Sequence, residues 1–151
     1  MFNFFKKKDF FTESETKLIV DAIHAAEQRT SGEVRVYVER RCRYMDPLDR
    51  AAEIFFSLEM DNTGNRNAVL LYIAMKDRQL AIFGDEGIHK KVGSEYWANE
   101  VNLMIKKFNT ENYGEGISQC VKDIGESLYL HFPYDYKTDK NELPDEIVFG
   151  K

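Results

Sequence analysis

The sequence predicts an α/β sandwich built on a mixed sheet. Three observations carry that prediction. Helical and strand periodicities follow one another as helix, strand, helix, strand, strand, helix, helix. The unbroken apolar run Ala68-Val69-Leu70-Leu71-Tyr72-Ile73-Ala74-Met75 reads as a central strand covered on both faces. The 151 residues suit one domain with its own core.

Each element has a local reason. Thr12-Glu13-Ser14-Glu15 fits a capping box, in which hydroxyl and carboxylate each satisfy an orphan N–H at the helix start. Leu18, Ile19, Ala22, Ile23 and Ala26 then recur at helical spacing as one buried stripe. The polar run from Gln28 ends this helix, with Gly32 available for a left-handed backbone position. Val34, Val36 and Val38 alternate with Arg35, Tyr37 and Glu39, the period of a strand. A basic loop leads to Asp46-Pro47, an N-cap followed by a proline suited to the first helical position. The second helix is expected from Pro47 to Glu59, with Leu48, Ala51, Ala52, Phe55 and Leu58 inward.

The polar loop Asp61 to Asn67 feeds the central strand, and Lys76-Asp77-Arg78-Gln79 turns the chain into a third strand, Leu80 to Phe83. Gly84-Asp85-Glu86-Gly87 ends it, and Ile88 to Val92 reads as one helical turn. Trp97, Val101, Met104, Ile105 and Phe108 mark a helix from Ser94. Ile117, Cys120, Val121, Ile124 and Leu128 mark another from Tyr113 to Leu130. Ile147-Val148-Phe149 is expected as a short edge strand. The chain thus divides into a Phe/Lys segment over 1–11, a domain over 12–133 and an acidic tail over 134–151.

Composition narrows the function. Lys plus Arg is 21 and Asp plus Glu is 26, a net charge of −5. That sign argues against a nucleic-acid partner, because phosphate binding needs a basic face. Cys42 and Cys120 give no disulfide framework and read as reduced thiols. No stretch approaches the roughly 18 apolar residues of a membrane span, and no secretory signal is evident, so a cytoplasmic address is expected. Around Lys6, Lys7 and Lys8 stand Phe2, Phe4, Phe5, Phe10 and Phe11. A tail folded onto the core is favoured there over an interfacial membrane anchor, because one short segment anchors weakly.

Topology then gathers the polar loops. The first two strands flank a helix, so they should run parallel through a right-handed crossover, with the third antiparallel. Three bends meet at one rim: the entry to the first strand, the entry to the second, and the exit of the third. Together they carry Glu33, Asp61, Asn65, Asn67, Asp85 and Glu86. These are hard oxygen donors of the kind that suit Ca²⁺ or Mg²⁺. Ordinary turn and capping chemistry explains the same residues, with Asp85 and Glu86 complementing a helix N-terminus. The opposite rim offers Glu39, Arg40, Arg41, Arg43, Asp77 and Arg78, a run read as solvated charge. No P-loop, dinucleotide fingerprint or EF-hand spacing is present. His24, His89 and His131 have no ligand-spaced partner.

Several segments in this order resemble the TPM domain family: Arg29-Thr30-Ser31-Gly32-Glu33, Arg66-Asn67-Ala68-Val69-Leu70, Asp77-Arg78, Gly84-Asp85-Glu86-Gly87-Ile88-His89 and Val92-Gly93. The match runs from about Phe11 to Pro133 and is closest to short bacterial members consisting of the domain alone. The resemblance implies a three-layer α/β/α sandwich around a mixed, roughly four-stranded sheet. It also implies divalent-cation binding in loops at one sheet edge and, in some members, weak acid phosphatase activity. Other members act on membrane complexes. Gly84-Asp85-Glu86-Gly87 departs from the Gly-aromatic-Gly-Leu-Glu run of many relatives and adds a carboxylate.

Two functions follow as expectations. In the first, a cation held by Asp85 and Glu86 with Glu33, Asn67 and Asp61 polarises a phosphoryl oxygen, while Arg66 stabilises the developing charge. No general acid or nucleophile stands out for that chemistry. In the second, the cation orders the loops and the ordered surface binds a protein partner without catalysis.

Overall fold

The computed structural model describes residues 10–42, 44–134 and 147–150. The expectations for the Phe/Lys segment up to Asp9, for Arg43 and for most of the acidic tail lie outside the described residues. The elements are α1 (Glu13–Glu27), β1 (Glu33–Glu39), α2 (Pro47–Ser57), β2 (Ala68–Ala74), β3 (Gln79–Gly84), α3 (Glu86–Val92), α4 (Ser94–Asn109), α5 (Tyr113–His131) and β4 (Val148–Phe149).

The sheet has the order β3-β2-β1-β4. β1 and β2 are parallel, β2 and β3 antiparallel, and β4 lies parallel to β1 with Tyr37 opposite Val148. This is the expected mixed sheet, and Val148–Phe149 is its edge strand. β2 is buried along its whole length. Its two faces feed different cores, as a period of two requires. Val69, Leu71 and Ile73 join Val34, Val36 and Val38 beneath α1, α4 and α5. Leu70 and Tyr72 join Ala51, Ile54 and Phe55 of α2 on the other side. Helices therefore cover both faces, giving three layers. Each fully buried aliphatic side chain contributes about 1.5–3 kcal/mol.

The capping box of α1 is present: Glu15 N–H donates to Thr12 Oγ1 at 3.1 Å, and Thr12 N–H donates to Glu15 Oε1 at 3.0 Å. Its buried stripe holds Ile19, Ala22, Ile23 and Ala26, but Leu18 lies exposed at the margin. Gly32 is not left-handed. Its value is its missing Cβ, which would sit 2.7 Å from Leu128 Cδ2 and 3.1 Å from the Asn67 carbonyl oxygen.

α2 stops at Ser57, two residues before the expected end. Glu59 adopts φ 55° and takes the place of a terminal glycine. Glu59 N–H donates to the Phe56 carbonyl and Met60 N–H to the Phe55 carbonyl, at 3.1 and 3.0 Å, closing a Schellman-type end over the buried Met60. Ile54 takes a buried position and Leu48, expected inward, is exposed. Ile105 of α4 is likewise more exposed than its spacing predicts. Phe10 and Phe11 are buried beside β4, where Phe10 stacks on Phe149 at 6.2 Å.

Candidate functional site

The register places three bends at one rim. Glu33 lies opposite Ala68, and Asp85 N–H donates to the Ala68 carbonyl at 2.9 Å. Glu33, Ala68 and Asp85 thus form a row across three strands. Two inter-strand spacings put the backbones of Glu33 and Asp85 roughly 10 Å apart. Gly87 clamps the β2 entry to the β3 exit: its N–H donates to the Arg66 carbonyl at 2.8 Å. A Cβ on Gly87 would lie 2.1 Å from the Asn65 carbonyl oxygen, so this approach requires glycine.

The centre of the rim is Arg66. Its Nε donates to Asp85 Oδ2 at 2.6 Å and its Nη2 to Asp85 Oδ1 at 2.8 Å, a bidentate fork. Its Nη1 reaches Glu86 Oε1 at 3.3 Å. The Asp85 hydrogen bonds, joined by the charges of Asp85, Glu86 and Asp61, raise the guanidinium pKa further against the opposing effect of desolvation. One positive charge therefore faces three carboxylates. Asp85 also caps α3, accepting from Glu86 N–H at 2.8 Å. The helix-capping explanation and the ion-site explanation thus meet in a single side chain.

The other expected residues divide. Asn67 is buried at this rim; its Nδ2 donates to Ser31 Oγ at 3.2 Å, while its Oδ1 is buried without a hydrogen-bond partner. Thr63 Oγ1, in the same loop, is also unpartnered. Glu33 is buried and acts electrostatically on Arg35, whose pKa is lowered by burial and supported by Glu27 and Glu33. Asn65 contributes its carbonyl to the contact with Gly87.

A divalent cation is testable against these groups. The donors are hard oxygens, and the orphaned Asn67 Oδ1 is of the type such an ion takes. The present arrangement is nevertheless closed, because both Asp85 oxygens are engaged by Arg66. Among the described residues, no group of three or more His, Cys, Asp or Glu side chains is gathered closely enough to hold a metal. The donor types are those a hard cation takes, and in this arrangement the Arg66 guanidinium is the positive charge they surround.

Two neighbours read from the sequence only as a helix-face residue, Trp97, and a histidine without a ligand-spaced partner, His89. Trp97 Nε1–H donates to His89 Nδ1 at 3.0 Å, which leaves the His89 proton on Nε2 in the neutral ring. Both flank a groove that also reaches Arg66, Asp85 and Glu86. Trp97 also presses on Gly84, where a Cβ would lie 2.4 Å from its ring.

The opposite rim is a closed network. Arg50 Nε and Nη2 donate to the two Glu39 oxygens at 2.9 Å each, and the Tyr72 hydroxyl donates to Glu39 as well. Burial first, then the Glu39 contact, pushes the Tyr72 phenol pKa far up. Asp77 accepts from Cys42 N–H at 2.8 Å and from Arg41 at 3.3 Å. Of the expected solvated charge run, Glu39 is thus buried and paired with the half-buried Arg50, while the Arg41 and Asp77 pair stays more open.

Comparison with known proteins agrees with this architecture. A family profile described as TPM domain matches residues 5–127. The NMR structure of the BA42 protein from the psychrophilic bacterium Bizionia argentinensis is 39% identical, with TM-score 0.84, covering 93% of this chain and 96% of that one. The N-terminal domain of a P. gingivalis protein superposes with TM-score 0.69 at 17% identity, over 84% of this chain and 83% of that one. The N-terminal domain of the cg2496 protein from Corynebacterium glutamicum gives 0.56 at 17% identity, over 78% and 74%. These last two likenesses are of fold alone. No curated protein matches the chain. Among the described residues, no helix is long and apolar enough to cross a membrane.

Proposed function

Because the chain belongs to the TPM domain family, we propose that it binds a divalent cation, Ca²⁺ or Mg²⁺, at the rim where Arg66 meets Asp85, and that the ion and the guanidinium exchange for one another. The observation that carries this reading is the three-to-one charge balance around Arg66. Asp85, Glu86, Asp61 and the Asn67 amide oxygen are the groups that would hold the ion once Arg66 swings out. Arg66 is about a third exposed, so it can leave toward solvent without breaking the core.

A bound dication would supply charge neutralisation and, for a phosphate ester, polarisation of a phosphoryl oxygen. Hydrolysis is subordinate in this proposal. The local charge without an ion repels a phosphate, and all three guanidinium nitrogens of Arg66 already donate to carboxylates. A cation-ordered surface that binds a protein partner needs neither a nucleophile nor a general acid, and it is the preferred use of the site. Residue-resolved NMR during calcium and magnesium titration tests the proposal. Shifts confined to residues 61–67 and 85–87 are expected; saturation with no shift there would refute it. Turnover of a generic aryl phosphate that disappears in Asp85→Ala plus Glu86→Ala would restore the catalytic reading.

A further inference from the structure

Among the described residues, β3 is an edge strand with no strand paired to its outer side. The one-to-one antiparallel register and the Asp85 N–H to Ala68 carbonyl bond fix which backbone groups face β2. Alternation turns Ala81 and Phe83 toward β2 and leaves the N–H and C=O groups of Leu80, Ile82 and Gly84 pointing away from the sheet. Edge strands in monomeric proteins are usually blunted by a lysine, a proline or a bulge. Gln79-Leu80-Ala81-Ile82-Phe83-Gly84 has none of these.

The open side is the floor of a groove of about 620 Å³. α2 forms one wall through Leu48 and Phe56, each 49% exposed, and α4 forms the other through Trp97 and Val101. The exposure of Leu48, against its helical spacing, is thereby located: it faces this groove. Its described lining carries three carboxylates, Asp46, Asp85 and Glu86, against one guanidinium, Arg66. Asp46 stands where α2 begins, and Asp85 with Glu86 stands at the exit of β3. The lining cation, Arg66, is already committed to those carboxylates.

We propose that the β3 edge accepts an extended peptide as a fifth strand, and that the peptide has bulky apolar residues flanked by lysine or arginine. Main-chain pairing with Leu80, Ile82 and Gly84 would supply affinity, and side chains alternating between the two walls would supply specificity. Six residues of strand span about 20 Å, which sets the length of the bound segment. The excess of carboxylates in the lining selects the basic flanks. This inference does not depend on the cation proposal, and its test is run in EDTA so that the two fail separately.

A synthetic peptide carrying residues 1–9 of this chain has the required chemistry, with Phe2, Phe4 and Phe5 followed by Lys6, Lys7 and Lys8. Titrated into the full-length chain and followed by ¹⁵N NMR, it should shift the amides of Leu80, Ile82 and Gly84 with a Kd at or below the millimolar range. Leu48→Ser combined with Phe56→Ser should weaken binding at least fivefold, whereas Leu103→Ser, an exposed α4 change outside the groove, should not. A peptide with glutamates in place of the three lysines should also bind at least fivefold more weakly. No β3 shift at several millimolar peptide, or equal binding of the glutamate peptide, would overturn the proposal. So would β3 shifts that appear on concentrating the protein alone and are untouched by peptide, which would assign the edge to a second copy.

Discussion

Arg66 and Asp85 are joined by two hydrogen bonds of 2.6 and 2.8 Å across 19 positions of sequence. The contact ties the loop entering the central strand to the cap of α3, and it places a positive charge where the fold gathers its oxygen donors. Asp85→Ala removes the fork and the N-cap together. Its unfolding free energy from chemical denaturation should fall by at least the roughly 1 kcal/mol of a lost cap. A variant as stable as the wild type would show that the fork is not formed in solution.

Gly87→Ala acts on the same junction through space rather than charge. Its new Cβ would meet the Asn65 and Arg66 carbonyl oxygens at 2.1 and 2.6 Å, both of them backbone atoms. The β2 entry loop must retreat, and overpacking of this kind costs about 1–3 kcal/mol. Hydrogen exchange should show the Gly87 amide losing protection as its bond to the Arg66 carbonyl opens.

Glu100 predicts a pH dependence. Burial, reinforced by its contact with Asp123, pushes its pKa up to about 7 from an ordinary 4.5. The folded state therefore binds this proton more tightly than the unfolded chain. Its contribution is fully present below about pH 4.5 and is lost as pH rises through about 7. Glu100→Gln should be more stable than wild type at pH 8, by on the order of 1–3 kcal/mol, with the gap closing by pH 5. Thermal melts across that range would read it; parallel curves would contradict it.

The fold was legible because its signals were local or periodic. The Thr12 box, the Val34-Val36-Val38 alternation and the apolar run of β2 each dictate an element, and chain direction then brings Asp61, Asn67 and Asp85 to one rim. What spacing could not convey was the occupancy of that rim. Nothing in the interval between Arg66 and Asp85 specifies a bidentate clasp, which depends on the left-handed Arg66 backbone at φ 51° and on the close approach of Gly87. Glu33 looks equivalent to Asp85 by spacing, and it is buried on β1 near enough to act on the charge of Arg35. Glu100 could have been found, since it lies three residues after Trp97 and four before Met104, on the buried face of α4. Leu48 could not, because its exposure follows from a groove made by two helices distant in sequence.

The direct test of the exchange between guanidinium and ion compares calcium binding by the wild type and Arg66→Gln. Removing the resident positive charge should tighten binding at least tenfold, with amide shifts at residues 61–67 and 85–87 in both proteins. At calcium one hundred times its Kd, binding should stabilise the fold by about 2.7 kcal/mol, raising Tm by roughly 5–10 °C for a domain of this size. Equal or weaker binding by Arg66→Gln, or calcium shifts at a different part of the molecule, would contradict the assignment of this rim.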